Sequence, residues 1–397
     1  MTASGSEPGA SLFPELAEPT PTARGILPSQ AIRWLIQSGQ VVAAAPVDPD
    51  QVQPASLDLR LGAVAHRVRA SFLPSRASPV PRRLEELTMH VVDLSVPSVL
   101  ERGCVYVVPL QEELRLARGT SARANPKSST GRLDVLTRVL TECGGEFESV
   151  PDGYHGRLYL EISPRTFSVL ARTGTRLSQL RFLRGYRAGS AADAAALGDR
   201  QIDRLHESDA LVYGANAAPA DPVIARGLWV SVSLRAARDG ERVGYRARPH
   251  APVLDLDRLN YYDPLEFWEP LTGQERGQVI LNPGDFYLLA SKERISIPPG
   301  HAAEMVGYDP LFGEFRVHYA GFFDPGFGYG SEDAPGTPAV LEVRSHEVPF
   351  LLEHGQHVAR LVFSPLTDVP DRLYGSGIGS SYGRQGLSLS KHFASGR

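Results

Sequence analysis

Short apolar runs closed by turn residues recur along most of this chain. From Ser56, the residues Leu57, Leu59 and Leu61 alternate with Asp58 and Arg60 and stop at Gly62, which is the period-two pattern of a strand. Strands of the same kind are predicted through Phe182. They resume at Leu228, where VSVSLR stands against the earlier ASLDLR, and continue to Phe363. Two stretches have helical spacing instead. Ser29 is read as the N-cap of a short helix with Ile32, Leu35 and Ile36 on one face, ending near Gly39. The Ala-rich stretch 188–211 carries Ile202 and Leu205 at helical spacing and predicts a second helix.

The strand pattern occurs twice. VLERGCVYVVPLQEELRLARG, LYLEISP and GTRLSQLRF in the first half match VILNPGDFYLLASKERISIPPG, AVLEVRS and GQHVARLVF in the second. Glu161 and Glu342 lie 181 positions apart, and the same offset separates Leu100 from Leu281, Tyr106 from Tyr287, Gly174 from Gly355 and Phe182 from Phe363. An ungapped register of this length implies two homologous domains. The expected boundaries are a disordered leader over 1–24, a first domain over 25–184, a helical linker over 185–227, a second domain over 228–372 and a mobile C-terminal tail over 373–397.

Composition sharpens the class. With 38 glycines and 32 prolines in 397 residues, and with short alternating runs, the fold is read as mostly β. A net charge of −4 with both signs mixed gives no global field for nucleic acid or acidic lipid, so neither is expected as a partner. Cys104 and Cys143 are too few for a disulfide framework, and the cytoplasm is the expected compartment. No apolar run approaches the roughly 18 residues that span a bilayer, and the start lacks a basic-plus-apolar signal pattern.

Three segments carry candidate chemistry. Asn125 to Asp134, NPKSSTGRLD, places Lys127, Ser128, Ser129 and Arg132 in a turn-forming context. Turn amides, two hydroxyls and two cations together could cradle phosphate oxygens; the plainer alternative is a solvated polar loop. Glu161 and Glu342 each stand between apolar neighbours in a strand, so each is either a surface carboxylate or a base facing a pocket. The stretch 318–330, HYAGFFDPGFGYG, holds Gly321 and Asp324 among aromatics and could stack a flat ring, or could be a packed hairpin. Zinc-dependent nucleoside deaminases require HxE or CxE followed by PCxxC. Nothing here fits that pattern, and no transition metal is expected.

Taken together, PASLDLRLG at Pro54, the KSSTGR run, DGYHG followed by LYLE161, the AGFFDPGF hairpin and the terminal SYGRQG resemble the dCTP deaminase family of the dUTPase-like superfamily. The resemblance covers about 26–182 and 228–391. It implies two tandem dUTPase-like distorted β-barrel (jelly-roll-like) domains with a few short helices, in a fold that is trimeric in single-domain relatives. It also implies a hydrolase that converts dCTP to dUTP and ammonia without zinc, feeding dUMP and dTTP synthesis. In that family a glutamate acts as base, the SSxxR loop supplies a serine and an arginine, Mg2+ rides on the triphosphate, and the tail closes the site. By motif, Ser128, Arg132, Lys127 and Ser129 match the loop, Glu342 and Glu161 the base, and Tyr382 and Gln385 the tail. A homo-oligomer, a trimer of two-domain chains or smaller, is the expected assembly.

The departures matter too. At the positions of the cradle the second half reads YDPLFG, and at the position of the hairpin the first half reads TECGGEF. Each half keeps what the other has lost. A composite site is therefore expected, with Ser128 and Arg132 from the first half and Glu342, Gly321 and Asp324 from the second, and with Glu161 ranked second as base. Two alternatives stay open: an enzyme that goes on to cleave dUTP to dUMP and pyrophosphate, and a nucleotide-binding protein without catalysis.

Overall fold

A computed structural model of the chain describes residues 24–185 and 195–394, apart from 237, 239, 274, 308–314, 318–320, 331–334, 346 and 376–385. It is built mainly of curled antiparallel sheets. In the first half, Arg176–Arg184 lies between Leu57–Arg60 and Thr120–Pro126, while Val105–Arg115 lies between Val64–Val68 and His155–Pro164. The second half repeats both arrangements. His357–Pro365 lies between Leu228–Ser233 and His301–Val306, and Phe286–Ile295 pairs with both Arg242–Ala247 and Thr337–Ser345. The register repeats as well, since Glu161 stands opposite Val107 and Glu342 opposite Leu288.

The first helix forms over Ser29–Gln37 and buries Ala31, Ile32 and Leu35. Its N-cap is Pro28, not Ser29. Ser29 is already helical, and its hydroxyl donates to Asp371, which also pairs with Arg33. The chain beyond the last strand of the second half therefore returns to the first helix. The stretch read as a helical linker, 185–227, supplies the helix Asp199–Ser208 and the strand Val212–Tyr213, which pairs with Phe286–Ile295. In the same way Val41–Ala43, following the first helix, pairs with Val105–Arg115. Residues 199–213 thus pack on the second half.

Leu57–Arg60 is buried on both faces, Asp58 and Arg60 included. Arg60 is satisfied by Glu112 at 2.7 Å and by the carbonyls of Pro46 and Ala45; a buried charge persists only when paired in this way. The sheet curls onto neighbours on both sides, so its polar positions face partners and not water.

One core joins the halves. Leu254–Asp255 of the second half adds a parallel strand to Val169–Leu170 of the first. Phe167 meets Phe267 and Trp268 edge-on at centroid distances of 5.5 and 5.4 Å, a geometry favoured by the ring quadrupoles. Among the described residues, no helix is long and apolar enough to cross a membrane.

Candidate active site

The strand Thr120–Pro126 ends in an extended Lys127 and then one helical turn, Ser128–Gly131. The amides of Thr130 and Gly131 donate to Lys127 O at 2.8 and 3.0 Å. This fixes the order in which Ser128, Ser129 and Arg132 project. The turn forms one wall of a cavity of about 650 Å³ that Lys127, Ser128, Ser129, Arg132, Gly321, Asp324 and Glu342 all line. The volume suits a nucleotide-sized ligand.

Glu342 enters from the strand Thr337–Ser345 of the second half and is 7% exposed. Its carboxylate rests on Gly131: a Cβ added there would lie 2.7 Å from Oε1. Only glycine at that position lets the carboxylate sit against the turn. Burial pushes the Glu342 carboxyl well above its ordinary value, Arg132 opposes that rise, and Asp134 adds to it. Asp134 is itself held by Thr166 Oγ1 at 2.5 Å and by Arg344 of the second half.

Asp324 is paired at 3.0 Å with the buried Arg181 of the first half. The Arg181 guanidinium lies 3.9 Å from the Phe322 ring centroid and donates to Ala303 O at 3.2 Å. Burial raises the Asp324 carboxyl and Arg181 opposes it. Lys127 pairs with the buried Asp58.

Glu161 is not on this cavity. It is buried and bound by Arg138, whose Nε donates at 3.0 Å and whose guanidinium lies 3.7 Å from the Phe147 ring centroid and reaches Ser71. Val68, Val80, Leu84 and Tyr159 cluster with Phe147 in this region. Glu161, expected as the second candidate base, thus lies apart from the other candidates, covered by side chains of the first half. Tyr382 and Gln385 lie outside the described residues.

Part of the segment expected as a tail, Leu387–Phe393, lies against the cavity. Arg132 donates to Ser388 O at 2.9 Å and to its Oγ at 2.6 Å. Ser390 bonds Ser129 O at 2.8 Å, and Lys391 and His392 line the cavity. Burial, with Lys391 adding, lowers the His392 imidazole to about 4.

Sequence reasoning assigned no role to Gly131, Asp58, Arg181 or Lys391. Gly131 and Asp58 stand inside the KSSTGR and PASLDLRLG motifs, and Arg181 inside the repeated GTRLSQLRF. The roles of Arg181 and Lys391 carry no local signal, since their partners are distant in the chain. Among the described residues, no three His, Cys, Asp or Glu side chains lie close enough together to hold a metal ion.

Comparisons with known proteins identify the family. The family profile "2'-deoxycytidine 5'-triphosphate deaminase (DCD) N-terminal domain" matches residues 23–186, and that of the C-terminal domain matches 198–393. A Halobacterium salinarum protein named "dCTP deaminase, dUMP-forming" is 31% identical over 160 residues, 38% of this chain and 77% of that protein. A Halorubrum lacusprofundi "dCTP deaminase" is 31% identical over 187 residues, 46% of this chain and 82% of that protein. A solved Agrobacterium tumefaciens 2'-deoxycytidine 5'-triphosphate deaminase is 50% identical with a TM-score of 0.80, covering 87% of this chain and 99% of that one. It therefore spans both halves. With both domain profiles matched in order and a structural relative of double length, the chain belongs to the dCTP deaminase family.

Proposed function

We propose that this chain deaminates dCTP hydrolytically, with Glu342 as the general base. The observation that carries this reading is the burial of Glu342, from one half, against the KSSTGR turn of the other within a single cavity. A water placed between Glu342 and Ser128 loses its proton to the carboxylate as its oxygen bonds C4 of cytosine. Glu342 passes that proton to N3, then takes the proton of the new C4 hydroxyl and gives it to the amino group; as the C4=O bond forms the C4–N bond breaks and ammonia leaves, so dCTP and water give dUTP and ammonia. A carboxylate whose proton affinity has been raised by burial is a better base than a solvated one, and positioned proton transfer contributes about 10²–10⁴-fold in rate. Lys127 and Arg132 face the phosphates.

Magnesium fits as a companion of the triphosphate. No carboxylate cage exists among the described residues, whereas one buried oxygen of Asp58, Oδ1, makes no hydrogen bond beside the cradle. Asp58 would hold the ion together with the phosphates, where it would neutralise their charge.

Incubation with dCTP and Mg2+, with and without a zinc chelator, followed by chromatography tests the reading. Chelator-insensitive release of dUTP is expected, and absence of turnover overturns it. The name of the Halobacterium relative, "dCTP deaminase, dUMP-forming", supports a second reading in which dUTP is cleaved further. Pyrophosphate and dUMP among the products would select it, with Asp324 orienting a second water toward the α-phosphate.

A further inference from the structure

We infer that Leu387–Phe393 is a fixed wall of the substrate site and that Lys391 within it binds the phosphate chain of the nucleotide. The inference rests on the reading of the cavity as a dCTP site.

The segment is held on both sides of Lys391. Phe393, 3% exposed, sits among Phe267, Trp268 and Tyr262 at centroid distances of 5.3, 6.0 and 6.5 Å. The amides of Asn260 and Tyr261 donate to the carbonyls of Lys391 and His392, each at 2.9 Å, and Ala394 N donates to Tyr262 O at 2.9 Å. On the other side, Ser390 and Ser388 are tied to the cradle turn through Ser129 and Arg132. Lys391 is thus presented to the cavity from a backbone fixed at its neighbours.

Lys127 and Arg176 line the same cavity as Lys391, Lys127 paired with Asp58 and Arg176 with Asp50 at 3.0 Å, and Asp257 is a further carboxylate of the lining. Burial, and after it Lys127, lower the Lys391 ammonium from its ordinary value. A polyanion that enters a partly desolvated cleft is attracted by every cation on its wall, paired or not, so its charge counts for more than in water. A triphosphate supplies that charge and a monophosphate supplies little of it. Phe393 acts as a positioning residue, through Lys391.

Titration calorimetry on the full chain with dCTP, dCMP and inorganic tripolyphosphate, alongside deamination kinetics, tests this. Lys391→Gln is expected to weaken dCTP and tripolyphosphate binding about 10-fold and dCMP binding less than 2-fold. It is expected to raise KM for dCTP with kcat nearly unchanged, the signature of binding shared by ground and transition states. Lys391→Arg is expected to restore most of the loss, and Phe393→Ala to reproduce it. Equal loss for dCTP and dCMP, or unchanged dCTP affinity in Lys391→Gln while the wild-type enzyme turns over, overturns the inference alone. Lys391-dependent dCTP binding without deamination overturns the proposed reaction and leaves the inference standing. Failure of the wild-type chain to bind dCTP or tripolyphosphate overturns both.

Discussion

Glu161 and Glu342 occupy matching strand positions in the two halves, with apolar neighbours of the same kind, yet their surroundings are opposite. Glu342 faces a cavity, lies on a glycine and carries a raised proton affinity. Glu161 is gripped by Arg138, which is stacked on Phe147. The difference is made by what crosses to each carboxylate. In one half a neighbour supplies an arginine and an aromatic ring; in the other it supplies a turn with no side chain at the point of contact. Place in a strand does not set a carboxylate's proton affinity; burial and the groups that cross to it do.

The sharpest way to break this comparison is to neutralise each glutamate in turn. Glu342→Gln is expected to lower kcat by about 10²–10⁴-fold, while Glu161→Gln stays within about 2-fold of wild type in steady-state assays. Comparable losses in both variants would show that the first half also takes part in the chemistry. Next in size is the contact itself. Gly131→Ala puts a methyl group 2.7 Å from Glu342 Oε1 and is expected to cost about 10² in kcat/KM, since small misplacements of a reacting group have effects of that order. Retention of full activity would mean that the carboxylate works from elsewhere.

The smallest effects are on stability, and they have opposite signs. Glu161→Gln removes the charge paired with Arg138 and is expected to lower stability by about 1–2 kcal/mol in denaturant titrations. Glu342→Gln is expected to raise it at pH 8. The folded-state proton affinity of Glu342 is above the unfolded one, so its favourable term is complete at low pH and is lost as pH rises. The advantage of the glutamine variant should therefore vanish toward pH 4 and grow above it; a pH-independent difference would contradict the burial argument.

Much of this was legible in the sequence. Alternation at Leu57, Leu59 and Leu61 located a strand, and the fixed offset between the halves reappears as shared strand pairings. The complementary loss of cradle and hairpin pointed to a site assembled from both halves. The two glutamates could not be told apart, because Arg138, Phe147 and Gly131 reach them from other strands and turns. Nor did the glycine- and serine-rich tail show that Phe393 packs on Tyr262, Phe267 and Trp268, more than a hundred positions earlier. Asp58 and Arg181 stand in apolar strands, and their roles depend on Lys127 and Asp324, which no local pattern brings to them.

The bond between Asp134 and Arg344, and the aromatic core that Phe167 shares with Phe267 and Trp268, have a consequence for mass action. A site divided between separate subunits has a dissociation constant and is lost on dilution. Here both contributors belong to one chain, so they meet at an effective concentration set by the covalent connection and not by the amount of protein. Joining of these two walls is a unimolecular event, and dilution does not separate Glu342 from the turn on which it rests.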